Sequence, residues 1–110
     1  MSIWTHVCGC IRVDSIRIGV EKDKDHDKIV HAIERGIPCG SEGPIKYDIW
    51  INRDRSCIAA YTVSIFGDLR DYDDIEEIES WFRNACENLL VRNAVIHIEV
   101  ENGNKKTITI

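Results

Sequence analysis

His6, Cys8 and Cys10 are the residues of this chain best suited to do chemistry, a histidine and two thiols spaced two apart. On a β-strand such residues share one face, about 6.5–7 Å apart in succession, so all three side chains look out from the same side. Soft nitrogen and sulfur ligands suit zinc or copper, and His97, on a later alternating segment, is placed to complete four ligands. The spacing argues against it. Structural zinc sites draw close ligand pairs from tight knuckles, whereas Cys-x-Cys on a regular strand splays its thiolates, so no metal or other cofactor is expected. A thiol nucleophile meets a similar obstacle, because it needs a base or positive charge within hydrogen-bond reach. His6 and Arg12 lie too far along the same strand, which leaves His97 as the candidate base.

Three further patterns carry weaker chemistry. Asp23, Asp25, Asp27 and Glu34 match the carboxylate positions of an EF-hand loop, with Val30 at its apolar position. Lys28 replaces the glycine that the loop's sharp turn needs, and a helical stripe runs through the segment, so a solvated helix start is the expectation. Gly36, Gly40 and Gly43 lack the lysine and following helix of a phosphate-binding loop, although Cys39 among them should be exposed. Trp4 and Trp50 fall on the mixed faces of their strands, where with Arg12, Asp48, Asn52 and His97 they could stack on and hydrogen-bond a nucleobase. Packing against another subunit is the leading explanation for these aromatics, since interface cores are rich in them. Trp81, beside Phe82 on a helical stripe, is expected in the core or at its edge.

The totals narrow the partners. A chain of 110 residues has room for one core, so residues 1–110 are expected to form a single domain. A net charge of −5 and a pI near 5.3 would repel a phosphate backbone or an anionic membrane, which argues against long nucleic acid and lipid surfaces. The charge is concentrated from Asp68 to Glu79, where acidic residues first of all favour a helix start. Asp71, Asp73, Asp74, Glu76 and Glu77 are the candidates for a surface that meets a basic partner. No charged leader or long apolar run is visible, and the cysteines, five in number, lack a disulfide framework, so a reducing cytoplasmic setting is expected.

The elements that must position these groups follow from periodicity. Ile3, Val7, Ile11 and Val13 alternate with Trp4, His6, Cys8, Cys10, Arg12 and Asp14 in a first strand that residues 16–20 could prolong. A helix is expected from about Lys24 to Arg35, stopped at Gly36, followed by a loop over residues 36–44. Tyr47, Ile49 and Ile51 mark a second strand, which turns at residues 52–56 into a third over Cys57 to Phe66. Both faces of that third strand are largely apolar, which leaves its register open. Asp73 or Asp74 caps a second helix with Ile75, Ile78, Phe82, Ala85 and Leu89 as its stripe. Ala94, Ile96, Ile98 and Val100 form a fourth strand, Asn102 and Gly103 a two-residue turn, and Lys105 to Ile110 an edge strand.

This order is the βαββαβ of an α+β, ferredoxin-like sandwich with an added C-terminal edge strand. Both helices then cover one sheet face and leave the mixed face of the first strand open. The opening Trp4-Thr5-His6-Val7 with Ile11-Arg12-Val13-Asp14 resembles the start of small uncharacterised proteins encoded by bacterial phages and prophages. That resemblance implies a mobile-element source and a role in binding a host component. With no coherent catalytic set, the expectation is a small acidic binding protein that captures or inhibits a host protein or sequesters a small ligand. It would form a homo-oligomer, a dimer, through the open face, with Trp4, His6, Cys8, Cys10, Arg12, Trp50 and His97 as its contact residues. The alternatives are a nucleotide-binding sponge and a small Cys/His metalloprotein built on the same face.

Overall fold

The computed structural model describes residues 2–15, 22–53 and 59–110. Its elements in chain order are β1 (Trp4–Ser15), α1 (Lys22–Glu34), β2 (Cys39–Gly40), β3 (Gly43–Pro44), β4 (Lys46–Arg53), β5 (Ala59–Arg70), α2 (Ile75–Glu87), β6 (Val91–Val100) and β7 (Lys105–Thr109). The five long strands form one antiparallel sheet in the order β4-β5-β1-β6-β7, so the N-terminal strand lies at its centre. Alternation decides what each side of that sheet does. Val7, Ile11 and Val13 of β1, Val63, Ile65 and Leu69 of β5, and Ala94, Ile96 and Ile98 of β6 are all buried. They share one core with Ile29 and Ile33 of α1 and Ile78, Phe82 and Ala85 of α2. Each large side chain so buried stabilises the fold by roughly 1.5–3 kcal/mol relative to exposure.

Polar contacts hold the helices at fixed places on that side. The Asp74 carboxylate accepts from the Glu77 backbone N–H at 3.1 Å and caps α2. The Trp81 indole N–H donates to the Ile33 carbonyl at 2.8 Å, joining α2 to the last turn of α1 while its ring lies in the core. Glu79 accepts from Arg83 at 3.0 Å and from Lys106 at 2.5 Å, which ties α2 to the edge strand β7. The Tyr47 hydroxyl of β4 donates to Glu34 at 2.6 Å, and burial together with that carboxylate pushes its pKa up to about 12. Among the described residues no helix is long and apolar enough to cross a membrane.

Several boundaries differ from the sequence expectations. β5 continues to Arg70 because β1 extends to Trp4 and pairs with it residue for residue, so Asp68 belongs to a strand and not to the approach to α2. The loop after α1 contains a short ladder in which Cys39 pairs with Pro44 and Gly40 with Gly43. A Cβ on Gly40 would stand 2.8 Å from the Arg70 backbone, so this loop closes against the end of β5. The link between β6 and β7 has four residues, 101–104, and Gly103 takes a φ of 100° in it, in place of a two-residue turn at Asn102 and Gly103. Helix α1 starts at Lys22 and ends at Glu34, two residues early and one residue short. Asp23, Asp25 and Asp27 thus lie in a helix, which is incompatible with an EF-hand loop. Residues 16–20, Cys57 and most of the expected turn at 52–56 lie outside the described residues.

Candidate functional site

The face of the sheet turned away from the helices carries the even-numbered residues of β1. Strand pairing aligns them in rows. His6 lies between Asp68 and Glu99, Cys8 between Phe66 and His97, Cys10 between Ser64 and Val95, and Arg12 between Thr62 and Asn93. β4 lengthens the rows with Lys46 beside Phe66, Asp48 beside Ser64 and Trp50 beside Thr62. β7 adds Lys105 beside Glu99 and Thr107 beside His97. The face is therefore divided into a charged end around His6, a weakly polar middle around the thiols, and a second end holding Arg12 and Trp50.

At the first end the histidine is held from both sides. His6 Nδ1 lies 2.5 Å from Asp68 Oδ1 and Nε2 lies 3.4 Å from Glu101 Oε2. Its pKa is raised, chiefly by the hydrogen bond to Asp68; partial burial opposes this, and Glu101 adds to it. His97 is engaged likewise, with Nδ1 2.7 Å from Thr107 Oγ1 and Nε2 3.2 Å from Glu99 Oε1. The hydrogen bond from His97 holds the Glu99 carboxyl below its ordinary range. A shallow depression beside these groups is bordered by His6, Glu99, Glu101, Asn104 and Lys105.

These contacts decide the chemistry that the spacing left open. His97 does stand directly across from Cys8, but both of its ring nitrogens are already occupied, so it is not placed to take a proton from the thiol. Among the described residues no three His, Cys, Asp or Glu side chains converge where they could hold a metal ion. Cys8, Cys10, Cys39 and Cys86 are free thiols; Cys39 is exposed, whereas Cys86 is buried and its pKa is pushed up to about 11 by that burial.

The middle of the face is more apolar than the sequence revealed. Phe66 is 42 % exposed and Val95 37 % exposed, flanking the exposed Cys8 and half-buried Cys10, while Trp50 beyond them is 65 % exposed. Trp4 is not part of this group. It pairs with Arg70 at the charged end, eight residues along the strands from the row of Arg12 and Trp50. At about 3.3 Å per residue that is roughly 26 Å, so the two tryptophans cannot sandwich one base.

Two of the five acidic candidates at the start of α2 already accept hydrogen bonds within the chain. Asp71, in a left-handed conformation with φ 55°, accepts from the Ser41 hydroxyl at 2.9 Å, and Asp74 is the helix cap. Asp73, Glu76 and Glu77 are exposed. Asp68, Glu99, Glu101, Phe66 and Val95 are the surface residues that sequence reasoning did not bring to the site. For Phe66 the signal was present in the alternation Val63, Ile65, Leu69, which becomes decisive once the strand is known to reach Arg70.

No protein-family model matches the chain, and no curated protein matches it. Solved structures do. A de novo designed protein, Foldit4, superposes with a TM-score of 0.53 at 18% identity, covering 90% of this chain and 99% of its own. A phage SAM lyase in complex with S-methyl-5'-thioadenosine superposes with a TM-score of 0.42 at 14% identity, covering 96% of this chain and 90% of its own. At these identities the likeness to the designed protein is one of fold, a sheet with helices on one side.

Proposed function

We propose that this chain is a small non-catalytic binding protein of ferredoxin-like architecture, phage-encoded as its opening residues imply, that works in the cytoplasm through the open face of its sheet. One observation carries the reading: Trp50, Phe66 and Val95 stand exposed on the same uncovered face, around a pair of thiols. Exposed large apolar side chains gathered on one face mark a contact surface rather than a solvated one. The histidines beside them are saturated with carboxylate and hydroxyl partners, which suits a fixed polar rim better than proton transfer. In this reading the face is covered in solution, by a second copy first of all, and the captured host protein or small ligand joins the assembled form.

Native mass measurement of the freshly purified protein, paired with alkylation of Cys8, tests this. The expected result is a species heavier than the 12.6 kDa chain, with Cys8 protected until the complex is diluted or denatured. A bare 12.6 kDa monomer at tens of micromolar, with Cys8 fully alkylated under native conditions, would overturn the proposal.

A further inference from the structure

We infer that two copies of this chain pack open face to open face with their strands running in opposite directions, about a twofold axis that crosses the strands at the level of Gly9. The inference rests on the reading of the open face as a surface covered by a second copy and adds the geometry of that contact. Two facing sheets with closely aligned strands can be related by an axis along the strands or by one across them. The strand registers make the two choices electrostatically different.

With the axis along the strands, each row of the face meets the same row of the partner, and β5 lies over the partner's β6. Arg12 then stacks on the partner's Arg12, and Asp68 on the partner's Glu99. Like charges so opposed at a contact destabilise it. With the axis across the strands at Gly9, each row meets a different one: the row of His6 meets that of Arg12, and the row of Cys8 meets that of Cys10. The partner's Arg12 then arrives among Asp68, Glu99 and Glu101, Lys46 lies over the partner's Asp48, and the partner's Arg92 approaches Glu101. Arg12 lands directly over His6, so its attraction is to the surrounding carboxylates Asp68, Glu99 and Glu101 set against the imidazole's charge, while the Lys46 and Arg92 meetings join opposite charges. Arg12 and Lys46 are exposed, with no ion-pair partner among the described residues, as such a role requires.

The area agrees. The central strands β5, β1 and β6 carry the rows from Trp4 to Asp14, whereas β4 and β7 pair over only part of that length. With strands about 4.8 Å apart and about 3.3 Å per residue, the face covers roughly 650 Å² per copy. That lies toward the lower end of standard specific interfaces, about 600–1,000 Å² per partner. Phe66, Val95 and the thiols fall at its centre, where interfaces are driest, and the ion pairs fall at its rim.

Crosslinking tests the axis. In a background carrying Cys39→Ser, Cys57→Ser and Cys86→Ala, C8S leaves one thiol at position 10 and C10S leaves one at position 8. A short bis-maleimide should join the two proteins to each other when mixed, with little joining of either to itself. Self-joining of either protein as efficient as the mixture would establish the strand-parallel axis and overturn the inference, while leaving the binding reading intact. A dimer by mass with no crosslink in any combination would overturn it as well.

A second pair of variants needs no cysteine background. R12E should weaken the dimer by about tenfold or more, and R12E with D68K in one chain should restore it to within about threefold. Failure of the double variant to recover, with R12E folded by circular dichroism, would overturn the inference.

Discussion

The two faces of the sheet are made from the same strands by alternate residues, yet they resemble parts of two different molecules. On the helix side, Val7, Ile11, Val63, Ile65, Ile96 and Ile98 are buried, and buried Thr5 donates its hydroxyl to the Tyr72 carbonyl. On the open side, Phe66 and Val95 stand exposed around the thiols, ion pairs gather at the His6 end, and the far end carries exposed Trp50 beside Arg12. A solvated sheet face would carry polar residues throughout, and a second core face would carry apolar residues throughout. That mixed composition suits a contact surface, and under the proposed reading the difference between the faces concerns association rather than folding.

Two phenylalanines test that contrast most severely. Phe82 of α2 is fully buried in the core, and Phe82→Ala should cost about 3–5 kcal/mol in chemical denaturation. Phe66→Ala, at concentrations low enough to keep the chain monomeric, should change stability by about 0.5 kcal/mol or less. Its effect belongs instead to sedimentation at high concentration, where the heavier species should be lost. An equally large stability loss at Phe66 would mean that the open face is part of the core and that the comparison fails.

Gly9 separates the faces from the inside. A Cβ there would point to the helix side and stand 2.4 Å from the Val95 carbonyl oxygen and 2.8 Å from Ile96 Cα, both of them backbone atoms. Gly9→Ala should therefore push β6 away from β1 at the middle of the sheet, with a loss of roughly 1–3 kcal/mol seen in thermal melting. Unchanged melting would show that the two central strands can separate without cost.

The covered face was the more legible of the two, for a physical reason. Burial imposes a strict period of two, so Val7, Ile11 and Val13 announce their side without knowledge of any neighbour, as do Ile96 and Ile98. The α2 stripe was readable in the same way, and Trp81 joined it as a core residue. The open face depends on which strands adjoin and in what register, and neither is local information. His6 could be placed on that face but its partners Asp68 and Glu101 could not, since one lies 62 residues away and the other follows the end of β6. His97 was placed opposite the thiols from strand order alone, whereas the hydroxyl of Thr107 and the carboxylate of Glu99 that occupy it required the β6–β7 register. The tryptophans show the reverse error: sharing a face says nothing about distance along it.

The smallest effect is the most specific to the charged end. Because the folded state raises the His6 pKa above its ordinary 6.5, protonated His6 stabilises the fold. That contribution is complete below pH 6.5 and fades as pH rises through the folded-state value. His6 and Asp68 are both substantially exposed, so solvent screening limits the gain to a fraction of a kcal/mol. Asp68→Asn should accordingly narrow its stability gap from the wild type as pH rises from about 6 to 8, and histidine NMR should find His6 titrating above 6.5 in the monomer. If the partner's Arg12 enters the same carboxylate cluster, its positive charge opposes protonation of His6, and the titration should shift downward as the protein is concentrated. A titration at or below 6.5 in dilute protein would remove the ionic rim from the comparison, and one independent of concentration would place the partner's arginine elsewhere.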